Sequence, residues 1–199
     1  TKFLMPTAGK IVYNGIDITR KTPADVALLR IARSFQISAI FPDMTARENV
    51  RFALQRLLGI SLRFWQSERT LLPLQRRADE LLESVGLASF ANTRAGDLSY
   101  GRKRALEIAT TLALEPELLL LDEPMSGLAH EDIDKVSELI RQASRKYTVL
   151  MVEHNLSVVA NLSDVITVLA RGTVLAEGDY QTVSNDPKVR EAYIGGDYE

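Results

Sequence analysis

The hydrophobic positions change period repeatedly along the 199 residues. Lys10 to Tyr13 and Ile16 to Ile18 flank Asn14-Gly15, a pair suited to a type I′ turn, so the chain opens with a hairpin. Thr22 then caps a helix with Pro23 at its first position, expected to run to about Arg33. From about 43 to 113 the period is helical. Ala78, Leu81, Leu82 and Val85 fall at i, i+3, i+4 and i+7, with Gly86 as a stop, and Ala105, Ile108, Ala109 and Leu112 repeat the spacing. The last third alternates. Leu118 to Leu121 and Thr148 to Val152 are apolar runs without alternation, expected as strands buried on both faces. Val136, Leu139, Ile140 and Ala143 place a helix between them, which implies a parallel βαβ unit. Val165 to Leu169 and Thr173 to Ala176 flank Arg171-Gly172 as a second hairpin. These patterns predict an α/β core at both ends of the chain with a helical insertion between.

Composition adds bounds. With 46% hydrophobic and 25% charged residues the chain is of ordinary globular type. It has no cysteine, which excludes disulfides and thiolate metal sites. No apolar run reaches the roughly 20 residues of a membrane span. A net charge of −2 supplies no global field toward nucleic acid or anionic membrane.

The candidate chemistry sits at strand ends. Leu118 to Leu121 deliver Asp122-Glu123-Pro124 to the C-terminal edge of a parallel sheet, where open α/β sheets bind ligands. One carboxylate there can hold Mg²⁺ and the next can orient or deprotonate a water. A bare Asp-Glu pair more often ends a strand as a solvated turn; the four leucines before it and the proline after reverse that preference. His154 follows the next strand, in Val152-Glu153-His154-Asn155, and the crossover rule sends both strands to one edge. A capping or surface histidine is its plainer reading. Leu98-Ser99-Tyr100-Gly101 precedes a helix whose start offers free N–H groups to phosphate, although most such tripeptides are ordinary N-caps. Gln36, after Ser34-Phe35, stands where core and helical region meet, with an amide able to touch metal or water; read alone it is a loop glutamine.

Gln36, then Leu98-Ser99-Tyr100-Gly101-Arg102, then Leu118 to Pro124, then His154 resemble in order the Q-loop, signature, Walker B and switch histidine of ABC transporter ATPases. The resemblance runs from about Phe3 to Ile194. The combination is highly specific, although each piece alone is not. Arg30 to Gln36, Phe41-Pro42-Asp43-Met44-Thr45, Glu48-Asn49-Val50 and the tail Asn185 to Gly195 are similar to the branched-chain amino-acid uptake ATPases, with the urea uptake type closely related. Lipopolysaccharide-export ATPases share parts of that tail, so an exporter remains an alternative, as does a soluble ABC ATPase without a permease.

The resemblance implies a P-loop NTPase (RecA-like) α/β core with a parallel sheet and an inserted α-helical subdomain. The divisions expected are 1–41 for the first core part, 42–114 for the helical subdomain with the signature, and 115–199 for the second core part. It implies ATP and Mg²⁺ as ligands. Glu123 would be the general base, Asp122 and Gln36 would contact Mg²⁺, and His154 and Gln36 would contact the γ-phosphate or attacking water. Ser99 and Gly101, with Leu98 and Tyr100, would face the ATP of a second ATPase subunit. Implied partners are that subunit, identical or not, transmembrane permease subunits and, indirectly, a solute-binding protein. The implied location is the inner face of the cell membrane, on the cytoplasmic side.

The sequence departs from the family pattern in three places. No G-x-x-x-x-G-K-[ST] loop is present: Gly9-Lys10 lacks a glycine five positions earlier, and Ile11 stands where Ser or Thr belongs. Pro6-Thr7-Ala8-Gly9 is similar to a segment that follows the P-loop helix, so the expectation is a chain truncated before that loop, in preference to a natural degenerate subunit, and one that alone binds ATP poorly or not at all. Arg102 stands where the signature often has Gln, and Ala129-His130 where the following loop often has Asp or Asn, then Pro.

Between Pro42 and Ala78, Arg47, Arg51, Arg56, Arg63, Arg69, Arg76 and Arg77 outnumber Asp43, Glu48 and Glu68, with Phe64 and Trp65 among them. A solvated helix face and a groove for a permease helix are the two readings. Nucleic acid is not an expected partner.

Overall fold

The computed structural model describes residues 4–33, 40–57 and 68–194. It divides into two compact units, Thr1–Val152 and Glu153–Glu199.

The first unit opens with the hairpin the Asn-Gly pair predicts. β1 (Val12–Tyr13) pairs antiparallel with β2 (Ile16–Asp17). Asn14 and Gly15 both take positive φ, 47° and 76°, as a type I′ turn requires. α1 (Pro23–Leu28) starts in a reciprocal capping box: Thr22 Oγ1 accepts the Asp25 N–H, and the Asp25 carboxylate accepts the Thr22 N–H. The Thr22 hydroxyl, and then its N–H, donate to the Asp25 carboxylate and hold that carboxyl below the usual carboxylate range.

The expectation that this helix reaches Arg33 is wrong. It stops at Leu28, Arg30 turns left-handed at φ 60°, and β3 (Ile31–Arg33) follows. The apolar spacing of Leu28, Leu29 and Ile31 suits either period, and long-range pairing decides it. β3 lies parallel to β4 (Leu118–Asp122), with Ile31 opposite Leu118 and Arg33 opposite Leu120. Arg30 reinforces the junction by donating from Nε to the Glu115 carbonyl at 2.9 Å.

β5 (Thr148–Val152) flanks β4 on its other side, also parallel, giving the order β3-β4-β5 among the described residues. α5 (His130–Ser144) is the crossover between β4 and β5, as the sequence pattern requires. Burial of these strands differs from expectation. Leu119 and Leu121 are fully buried, but Leu118 and Leu120 are half-buried. On β5, Leu150 and Val152 are 59% and 60% exposed. The apolar run of β5 is thus not matched by coverage of its faces in this structure.

Between β3 and β4 lies a helical region. α2 (Ala46–Leu57), α3 (Glu68–Ser84) and α4 (Tyr100–Leu112) pack together, with two short 3-10 turns before α4. Val50, Ala78, Leu82, Leu106 and Ala109 retain no accessible surface. Gly86 ends the α3 segment with φ 72°. The buried Asn49 ties the entry to α2, accepting the Phe41 N–H at 2.7 Å and donating to the Thr45 carbonyl at 2.9 Å.

The second unit is small. α6 (Leu156–Leu162) is followed by the antiparallel pair β6 (Ile166–Ala170) and β7 (Thr173–Gly178), then α7 (Tyr180–Asn185) and α8 (Pro187–Ile194). Arg171 and Gly172 turn the hairpin with positive φ.

Candidate functional site

The acidic loop begins where β4 ends. Asp122 is still in the strand, opposite Val152, and its Oδ2 accepts from Arg33 Nη2 at 2.7 Å. Glu123 leaves the strand in the left-handed region at φ 45°, and its N–H donates to the Val152 carbonyl at 2.8 Å. That conformation is uncommon for a residue with a β-carbon and costs on the order of 1–3 kcal/mol unless its surroundings impose it.

Those surroundings include a residue that motif reading passed over. Arg104, one turn into α4, is buried and donates from Nε to the Pro124 carbonyl at 3.0 Å. Its Nη2 lies 3.2 Å from the Glu123 carbonyl and 3.4 Å from that of Asp122. Nη1 pairs with Glu107 Oε2 at 2.6 Å, also buried. The sequence signal was available: Arg104 and Glu107 stand at i, i+3 among Ala105, Leu106 and Ile108, so two charges occupy the apolar stripe of a helix.

The start of α4 carries the signature residues. Leu98 is buried, while Ser99 and Tyr100 are exposed. Ser99 occupies the N-cap position, yet its hydroxyl makes no capping bond. Tyr100 donates its hydroxyl proton to the Ser126 carbonyl at 3.2 Å and lies against Gly127. Gly101 is buried, and a β-carbon there would come within 2.4 Å of Asp132 Oδ2 on α5. The close approach that glycine permits is thus occupied, in this structure, by a side chain of the same unit. Arg102 places its guanidinium 4.0 Å over the Phe90 ring.

The structure therefore joins Asp122, Glu123 and the Leu98 to Gly101 segment, through α4. His154 belongs to the second unit. Its side chain is 73% exposed, while the neighbouring Glu153 side chain is 1% exposed and accepts the backbone N–H groups of His154 and Asn155. Asn155 caps α6, accepting from Ser157 and Val158. Gln36 lies outside the described residues, as do Phe64 and Trp65. In the basic middle, Arg47 pairs with Asp79 at 2.6 Å, and Arg76 and Arg77 pair with Glu80, so part of that charge is neutralised locally.

The ABC transporter family profile matches residues 1–126, more than half of the chain. The chain belongs to the ABC transporter ATP-binding family. A second profile, that of the branched-chain amino acid ATP-binding cassette transporter, matches residues 173–199. The high-affinity branched-chain amino acid transport ATP-binding protein BraF of Pseudomonas aeruginosa is 36% identical, over 98% of this chain and 79% of its own length. The corresponding LivG protein of Escherichia coli is 34% identical over the same shares. Among solved structures, an ATP-binding cassette of an ABC transporter in its ADP conformation superposes with a TM-score of 0.80 at 29% identity, covering 98% of this chain and 80% of that one. A nucleotide-free cassette gives a TM-score of 0.77 at 27% identity, covering 97% and 79%. The expected α/β P-loop NTPase class is borne out, and ATP hydrolysis is the activity of the family.

The family resemblance implies Mg²⁺, and the donor set can be tested against that ion. Among the described residues no group of three or more His, Cys, Asp or Glu side chains gathers as a protein cage. One carboxylate at a strand end, completed by water and substrate phosphates, is the kind of site Mg²⁺ uses. Asp122 fits that requirement, with Arg33 holding its Oδ2 in this structure.

Proposed function

We propose that this cassette is the ATP-hydrolysing subunit of an importer, coupling hydrolysis to uptake of branched-chain amino acids or a related small polar solute. One observation carries the reading: proteins named for high-affinity branched-chain amino acid transport match 98% of the chain at 34–36% identity. The separate match of residues 173–199 to the same transporter class supports it independently of the ATPase core.

In this reading Glu123 is the general base. Its carboxylate accepts a proton from the attacking water, and its left-handed backbone fixes where the side chain leaves the loop. Asp122 would hold Mg²⁺, which when bound neutralises phosphate charge. Phosphoryl transfer to water asks the protein mainly for positioning and electrostatics, so fixing the 122–124 backbone is itself a contribution to rate. His154 and Gln36 would contact the γ-phosphate or the water. Ser99 and Gly101, flanked by Leu98 and Tyr100, would meet the ATP held by a second ATPase subunit. The exposed Ser99, uninvolved in capping, supports that role.

Permease subunits and a solute-binding protein complete the assembly, with the chain at the inner face of the membrane. No helix among the described residues is long and apolar enough to span a bilayer. The test is transport in sealed vesicles carrying the full-length protein with its permease and solute-binding protein. ATP-dependent accumulation of radiolabelled leucine, or of a related small solute in a competition panel, is expected. ATP-dependent efflux, or accumulation indifferent to ATP, would contradict the reading.

A further inference from the structure

The ion pair beneath the acidic loop is a poor stabilising device. Arg104 and Glu107 are both buried, and burying two charges costs desolvation that their attraction only partly repays. Among the described residues Glu107 Oε1 is buried without a hydrogen-bond partner, an added cost. An apolar pair of similar volume would hold α4 to the sheet at least as well. What an apolar pair cannot do is direct fixed N–H donors at backbone carbonyls. Arg104 does so toward three consecutive carbonyls, those of Asp122, Glu123 and Pro124, spanning the residue with φ 45°. Glu107 engages Nη1 and so orients the guanidinium plane. Tyr100 adds a second tie to the same loop at Ser126, and Gly101 lies close against Asp132 of α5.

We propose that Arg104, oriented by Glu107, is a positioning residue for hydrolysis: a strut that holds the Glu123 backbone in its left-handed conformation. It also fixes the loop to the helix whose first turn presents Ser99 and Gly101. The strut makes the acidic loop and the signature end of one subunit a single rigid piece, so displacement of α4 moves Glu123. The inference rests on the proposed role of Glu123 as base.

The test compares variants of the full-length protein. Arg104→Met alone strands a buried carboxylate and is expected to fold poorly. The double variant Arg104→Met/Glu107→Leu removes both charges and keeps the volume. It is expected to unfold within a few degrees of wild type and to bind a fluorescent ATP analogue with unchanged Kd, while kcat falls at least tenfold. Arg104→Lys, which keeps the charge but not the planar fork, is expected to lose turnover similarly. A purely structural role would instead move the unfolding temperature and Kd and leave kcat alone. Glu123→Gln is assayed beside them. If it loses turnover while the folded double variant keeps it, the strut alone is overturned. If Glu123→Gln keeps turnover, the role of Glu123 falls and the strut with it.

Discussion

The helical region and the parallel sheet of the first unit solve burial differently. In the helices, Val50, Ala78, Leu82, Leu106 and Ala109 lose all accessible surface to one another's elements. In the sheet, Leu119 and Leu121 are covered, whereas alternate residues of β5 stay mostly exposed. Equal hydrophobicity therefore does not mean equal coverage. A helix stripe is matched by neighbours close in sequence. A strand face is covered only where something distant is laid on it. The chemistry falls at the seam: α4 carries one apolar flank into the helices and presents Arg104 to the end of β4.

Substitutions in the helical region and in the sheet give graded effects. Leu82→Ala, in the closed helical core, is expected to cost about 2–5 kcal/mol in urea unfolding, the range for a buried leucine that leaves a cavity. Gly101→Ala strikes the seam. Its β-carbon would meet Asp132 at 2.4 Å, so a loss of about 1–3 kcal/mol is expected. Shortening the neighbour in Gly101→Ala/Asp132→Ser should recover most of that loss.

Acid tests the entry to the helices. Glu48 accepts the Thr45 N–H at 2.8 Å and the Thr45 hydroxyl at 2.9 Å, which hold its carboxyl below the ordinary 4.5. The folded state thus favours the charged form. Its contribution is fully present above the unfolded value and is lost as pH falls through the lower folded one. Unfolding measured from pH 7 down to 3 should show this component in wild type and lose it in Glu48→Gln. The smallest effect belongs to the exposed edge: Leu150→Thr should change stability by less than about 0.5 kcal/mol. A loss of several kcal/mol there would mean β5 is covered after all.

The sequence carried those features whose causes are local. Asn14-Gly15 dictated its turn because few other pairs accept two positive φ values, and Thr22-Pro23 dictated a helix start through capping. Asp122 and Glu123 were legible because four leucines before a carboxylate pair restrict it to a strand end. β3 was not legible, since Ile31 to Arg33 are strand only by virtue of Leu118 to Leu120, 87 positions away. The role of Gly101 was half legible. A glycine at a helix start permits a close approach, but only the fold shows Asp132 filling that space. Arg104 was visible as a charge in an apolar stripe, and its meaning needed the three carbonyls above it.

Glu123, on its left-handed turn at the end of β4, is proposed to activate the water that attacks ATP. Single-turnover hydrolysis by Glu123→Gln, in the full-length protein at saturating ATP and Mg²⁺, tests it most directly. A rate lower by about 10²–10⁴ with nucleotide affinity retained is expected. Hydrolysis near the wild-type rate would contradict it.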